Sequence, residues 1–151
     1  MPLANTIVSV NRLLDQLRSP LLLGFRFYIA WVFFNSGWQK ISNWDTTLYL
    51  FEYEYDVPLL PWELAAYMGT AGELILPLFI AAGLATRYAA LALSVLNVTA
   101  VIAYYEALAK VGQVIAHEFW GSLLLVLVAF GAGFFSIDRW IESRHDDQGT
   151  R

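Results

Sequence analysis

Four long apolar runs, separated by short polar stretches, dominate the chain: Leu21–Ile41, Leu64–Leu84, Tyr88–Ala107 and Glu118–Phe135. A hydrocarbon core about 30 Å thick takes about 20 helical residues to cross, and each run is close to that length. None of the runs has the period-two alternation of a barrel wall. A helix satisfies its own backbone polar groups in lipid, so the pattern predicts an all-α bundle of four transmembrane helices.

Ahead of the first run, Ile7, Val10, Leu14 and Leu17 recur at helical spacing, while Asn11, Arg12, Asp15 and Arg18 fall mostly elsewhere. Residues 1–19 thus read as an amphipathic helix lying at the membrane face, set off from the first span by Pro20. Residues 20–141 form the membrane domain, and the polar segment 142–151 is expected to be a frayed tail. No charged stretch leads an apolar run into a small-x-small site, so no cleaved signal peptide is read. The longest connection, "SNWDTTLYLFEYEYDVPLLPW", admits two readings. Asp45 could cap a short helix with Leu48, Phe51 and Tyr55 on one face, or the alternating tyrosines and acids could form a strand. Its aromatic residues suit a membrane–water interface in either case, with a ligand wall as the alternative.

Composition strengthens the membrane reading. The 151 residues are 58% hydrophobic and 15% charged, with a mean hydropathy of +0.53. A soluble domain of this size buries only about two-thirds of its surface and could not hide so much apolar area. There is no cysteine, which excludes disulfides, thiolate metal sites and thiol relays. With four spans, all seven arginines (Arg12, Arg18, Arg26, Arg87, Arg139, Arg144 and Arg151) fall on or near the side of the termini. The other side receives Lys40, Lys110 and an acidic first loop. By the positive-inside rule both termini are expected in the cytoplasm, the chain being a multi-pass protein of the cytoplasmic membrane.

At about 1.5 Å of rise per residue, the polar residues inside the spans fall at distinct depths. Counted from the arginine-rich edge, Arg26 lies at about 8 Å, Asn97 at about 15 Å, Glu73 at about 16 Å and Asn35 at about 21 Å. At the far edge Lys40, Tyr104, Glu106, His117 and Glu118 gather with Trp38 and Trp120. Arg87 and Asp138 mark the near edge. The pattern reads as a polar seam from face to face. An ionised carboxylate alone in hydrocarbon is costly, so Glu73 is expected to face the bundle and meet Arg26, Asn97 or a water, or to be protonated. Lys40 is expected to pair with Glu106 or Glu118. The seam either fixes helix register or forms a pocket for a ligand, proton or quinone.

Several chemistries find no support. His117 and His145 are the only histidines, and the latter lies in the tail, which argues against a bis-histidine haem. His117 with Glu118 falls short of a zinc ligand set, so no metal site is assigned. No phosphate loop, nucleophile triad or nucleic-acid patch is present, and no catalytic residue is assigned. Small residues, among them Ala65, Gly69, Gly72, Gly121, Gly131 and Gly133, allow close helix contact.

The chain resembles the DoxX family of small four-helix membrane proteins. The resemblance rests on "GFRFYIAWVFFNSGWQK", "YDVPLLP", "GELILPLFIAAGLATRYAAL" and "HEFWGSLLLVLVAFGAGFFSID", in order and at matching spacing. It implies that Arg26, Lys40, Glu73, Arg87, Glu118 and Asp138 occupy family motif positions in a bacterial or archaeal membrane protein. The family is named for a subunit linked to thiosulfate:quinone oxidoreductase, and other members accompany redox or stress-response proteins. "GAGFFSID" departs from a "GPG"-like stretch, and the absence of cysteine argues against thiol-handling relatives.

Two functions follow as expectations. One is a non-catalytic membrane subunit of a respiratory or redox assembly, in contact with lipids, with a membrane or peripheral redox partner protein or with further copies of itself, its seam touching quinone. The other is a small transporter or lipid-ligand binder that uses the Arg26, Glu73 and Asn97 seam. Reporter fusions test the topology: a fusion at Arg151 should report the cytoplasm and one within residues 46–56 the opposite side. Reports from one compartment would refute four spans.

Overall fold

The structure is a computed structural model that describes the backbone of residues 2–149 and the side chains of residues 6–145. It is all-helical among the described residues. The order is α1 (Pro2–Ser42), α2 (Trp44–Tyr53), α3 (Trp62–Ala82), α4 (Thr86–Ala103), α5 (Tyr105–Lys110), α6 (Val114–Phe130) and α7 (Ile137–Gly149). The apolar part of α1, together with α3 and α4, is long and apolar enough to cross a membrane. The apolar α6 has 17 residues, at the short end of the spanning range.

Helix α1 packs chiefly on α3, α4 on α6, and α3 joins the two pairs. Between them lies a core of Leu22, Ile29, Phe33, Ile80, Leu93, Leu124 and Leu127. Only 28% of the apolar window of α3 is buried, because its outward residues meet lipid rather than protein. Helix α2 is amphipathic and lays Phe51 on Ala65 and Ala66 of α3, with Trp44, Tyr55 and Trp62 around them. The first connection is thus a helix followed by a coil, not a strand. Asp45 sits in the first turn of α2, where its charge favours the helix dipole, while Asn43 occupies the cap position.

Four expectations about boundaries need correction. Pro20 does not separate an interfacial helix from the first span, for α1 runs through it unbroken. Proline removes one backbone donor, a loss that the turns on either side can bridge. The third apolar run stops at Ala103, and Tyr104 (φ −136°) turns the chain into α5. The fourth ends at Phe130, because Gly131 takes φ +73° and starts a loop through Ser136. The expected tail is largely helical as α7; its last two residues, including Arg151, lie outside the described residues.

That loop gives Arg26 its role. The guanidinium is 1% exposed. Its Nε donates to the Ile80 carbonyl at 2.8 Å and its Nη2 to the Ala81 carbonyl at 2.6 Å. Its Nη1 donates to the carbonyls of Ala132 at 3.0 Å and Phe135 at 2.6 Å. Helix C-termini leave carbonyls without partners and carry partial negative charge, and Arg26 supplies what the end of α3 lacks. Gly83 closes α3 in a Schellman turn, donating to Ile80 O at 3.1 Å while Leu84 donates to Phe79 O at 3.0 Å. Asp138 completes the clamp: it accepts from the N–H groups of Ala85 at 2.6 Å and Thr86 at 2.9 Å, and so caps α4 from another element.

A β-carbon added at Gly83, where φ is +70°, would lie 2.6 Å from Arg26 Nη2 and 2.6 Å from Ser136 Cβ. Both Arg26→Met and Gly83→Ala should therefore loosen this end. Arg26→Met should lower stability by at least about 3 kcal/mol, as buried carbonyls lose their donor. Thermal unfolding in detergent, followed by circular dichroism, measures the loss. Wild-type stability in both variants would refute the clamp.

Candidate functional site

The opposite end of the bundle, where α2 and α5 lie, holds a second polar group built differently. On α1, Ser36 and Lys40 stand one turn apart, and Lys40 Nζ donates to Ser36 Oγ at 2.9 Å. The same ammonium meets Glu73 Oε2 of α3 at 2.5 Å. The helices approach closely there because residue 37 is glycine: an added β-carbon would sit 3.0 Å from Glu73 Cβ and 3.1 Å from its carbonyl carbon. Thr47 of α2 donates to the Lys40 carbonyl at 2.9 Å and fastens the end of α1. The two charged side chains keep 22% and 14% of their surface exposed. An ammonium has three donors, and two are engaged here.

Beside the pair stands a histidine held by an asparagine. Asn97 of α4 is 4% exposed, and its amide nitrogen donates to the His117 carbonyl of α6 at 3.0 Å. Its amide oxygen then faces His117 Nδ1 at 2.9 Å. The proton in that contact must come from Nδ1, so neutral His117 presents Nε2 as a free acceptor. The ring packs edge-on against Trp120, with centroids 4.8 Å apart. Trp120 in turn donates to the Tyr28 hydroxyl at 3.4 Å. Lys40 lies within Coulombic reach of His117, so the two pairs share one neighbourhood.

Two tyrosines cover the pair from outside the spans. Tyr55, in the coil after α2, packs edge-on against Tyr104 with centroids 4.7 Å apart. The Asp56 N–H donates to the Ala103 carbonyl at 3.1 Å and ties this coil to the end of α4. Burial raises the Tyr55 phenol above its ordinary value, with Tyr104 and then Glu73 adding to the shift. It is therefore a neutral hydroxyl at physiological pH.

These placements correct the expected pairings. Glu73 points into the bundle, yet its partner is Lys40 rather than Arg26 or Asn97. Lys40 correspondingly pairs with neither Glu106 nor Glu118, both of which are exposed. The ends of the spans do not lie in one plane, so equal distance along each run does not mean equal depth. In the fold, Arg26 stands level with the last turn of α3 and Gly37 stands level with Glu73. Asn35 leaves the central layer and donates to the Trp31 carbonyl of its own helix at 2.9 Å. Trp38 is 56% exposed and stacks on Phe34, facing outward. Arg87 is exposed at the arginine-rich end, and Asp138 is spent on the α4 cap.

Ile29, Ile80, Leu93 and Leu124 are each 0% exposed and belong to one apolar core in the same bundle interior. Residues that the sequence reading missed are Ser36 and Tyr28. The i,i+4 spacing of Ser36 and Lys40 was a usable signal; nothing in the local sequence marks Tyr28 as a partner of Trp120.

Comparison with known proteins agrees with this architecture. The DoxX family description matches residues 21–106. The chain is 30% identical over 129 residues to an uncharacterised protein of Haemophilus influenzae, covering 80% of this chain and 83% of that one. No solved structure matches it.

The geometry sets a direct test of the ion pair. Lys40→Met leaves Glu73 half-buried without its counter-charge and should cost on the order of 2–3 kcal/mol, between the values for exposed and buried pairs. Lys40→Met combined with Glu73→Leu should recover much of that loss. A double-mutant cycle on detergent unfolding measures the coupling, and additive losses would refute the pairing.

Proposed function

The chain belongs to the DoxX family, and from that premise we propose that it is a non-catalytic integral membrane subunit or accessory of a redox assembly. Its loop-end cluster contacts a quinone head group. The reading is carried by one observation: a Lys40 with a spare donor stands near a His117 whose Nε2 is a spare acceptor. A quinone carbonyl needs a donor and a quinol hydroxyl needs an acceptor, and these two residues offer both. Trp120, packed on the His117 ring, and Tyr104, packed on Tyr55, supply aromatic surface of the kind an apolar ring requires. Glu73 holds Lys40 in place and balances its charge in a poorly hydrated setting.

The transporter reading needs a polar path across the bundle. The wholly buried core of Ile29, Ile80, Leu93 and Leu124 argues against such a path, and Arg26 gives four of its five N–H donors to backbone carbonyls. The cluster is better suited to a ligand that arrives sideways from lipid. Both termini on the cytoplasmic side would put this cluster in the outer half of the cytoplasmic membrane.

Quinone binding can be followed by quenching of tryptophan fluorescence in the purified protein, with a short-chain ubiquinone as probe. Wild type should show saturable quenching. His117→Gln, and the charge-neutral pair Lys40→Gln with Glu73→Gln, should each weaken it about tenfold, the value of roughly one charge-assisted hydrogen bond. Quenching that rises without saturation, or that is the same in all three proteins, would overturn the proposal.

A further inference from the structure

The arginine-rich end contains a groove that neither the Arg26 clamp nor the quinone reading uses. It has a volume of about 600 Å³ and runs between the start of α4, the loop after α6 and the start of α7, with Arg18 of α1 on its rim. Five charged side chains line it: Arg18, Arg87, Asp138, Arg139 and Glu142.

Their charges are not equally available. The two carboxylate oxygens of Asp138 accept from the N–H groups of Ala85 and Thr86. Arg139 and Glu142 form an exposed pair at 3.6 Å. Arg18 lies over the Phe130 ring, 5.0 Å from its centroid. Arg87 lies over Gly131, where an added β-carbon would come within 3.2 Å of its Nε. Among the described residues, neither Arg18 nor Arg87 meets a carboxylate within salt-bridge distance. Two guanidinium groups therefore border one groove with their charges uncompensated, one held against an aromatic ring and the other against a glycine.

The groove also opens onto the lipid-facing surface. Tyr88 on its wall is 79% exposed, and Leu91, Val95, Val98 and Ile102 continue along the same face of α4, each more than half exposed. The spacing of three and four residues makes this a single apolar stripe leading away from the arginines along the span. Phe130 and Phe134 flank the mouth with 52% and 66% exposure. A ligand that fits both parts carries an anionic phosphate at one end and long apolar chains at the other.

We propose that this groove binds the phosphate of an anionic phospholipid between Arg18 and Arg87, with its acyl chains along the α4 stripe. Guanidinium groups match phosphate oxygens in geometry as well as charge, and basic pockets between membrane helices favour anionic head groups. A free phosphate would engage the arginines without using the stripe.

The test uses the full chain purified in neutral detergent, with lipid binding measured by native mass spectrometry. Phosphatidylglycerol and phosphatidylcholine with identical acyl chains are compared, so that apolar contact is constant. Wild type should bind phosphatidylglycerol about thirtyfold more tightly, the contribution of roughly two arginines near the surface. Arg18→Gln with Arg87→Gln should abolish that preference, bringing phosphatidylglycerol binding down to that of phosphatidylcholine in the same variant. Arg12→Gln with Arg144→Gln, outside the groove, should keep it. Equal binding of the two lipids by wild type would overturn the proposal, and this comparison needs no variant to fold. So would competition by millimolar inorganic phosphate that removes the preference, since the site would then be one for the free anion. An equal loss in the Arg12 and Arg144 variant would overturn it too, by showing diffuse attraction.

Discussion

The fold depends on a buried guanidinium. In lipid, no water can satisfy a helix end that turns inside the bundle, so the carbonyls that close α3 need a donor from the protein itself. Arg26 supplies it, and with the same planar group binds the carbonyls of the loop that follows α6. One side chain from α1 thus fixes where α3 stops and where α6 gives way to α7. Asp138 can then reach back from α7 to the first N–H groups of α4, since the loop has been held beside Gly83. The positive φ of Gly83 belongs to the same arrangement: the turn must be tight, and no side chain can stand between it and Arg26.

Securing one end in this way leaves the other end free to differ. The two ends share a core of buried aliphatic side chains, yet hold polar groups of opposite character. At the arginine-rich end the central charge is buried and directed at four backbone carbonyls. At the loop end the charged groups are side chains facing side chains, half-buried, with donors and acceptors unfilled. Saturated polar networks rigidify a fold, while partly filled ones can still take a ligand. The proposed quinone contact rests on that contrast.

The surface follows the same division. Apolar residues face outward along α3 and α4 because lipid solvates them as well as a core would. Interior positions are left for small residues and for the few polar groups that find partners. Arginines that lack partners stand at the rim, where head groups and water can reach them, and not within the spans.

Much of this could be read from residue order alone. Uninterrupted apolar runs of span length, the distribution of arginine and the absence of alternation determined an all-helical membrane bundle, since these depend on local hydrogen bonding and transfer from water. Glu73 was legible as an inward-facing residue for the same reason: lipid offers it nothing. Its partner was not legible. Whether Lys40, Arg26 or Asn97 meets Glu73 depends on how far α1 and α3 slide past one another. That register is decided by the close approach at Gly37 and by the hold of Arg26 on the end of α3. Depth counted within each run cannot supply it, because the runs do not begin in one plane. The pairing of Asn97 with His117 likewise needed α4 and α6 packed side by side, an arrangement of tertiary structure that neither segment encodes alone.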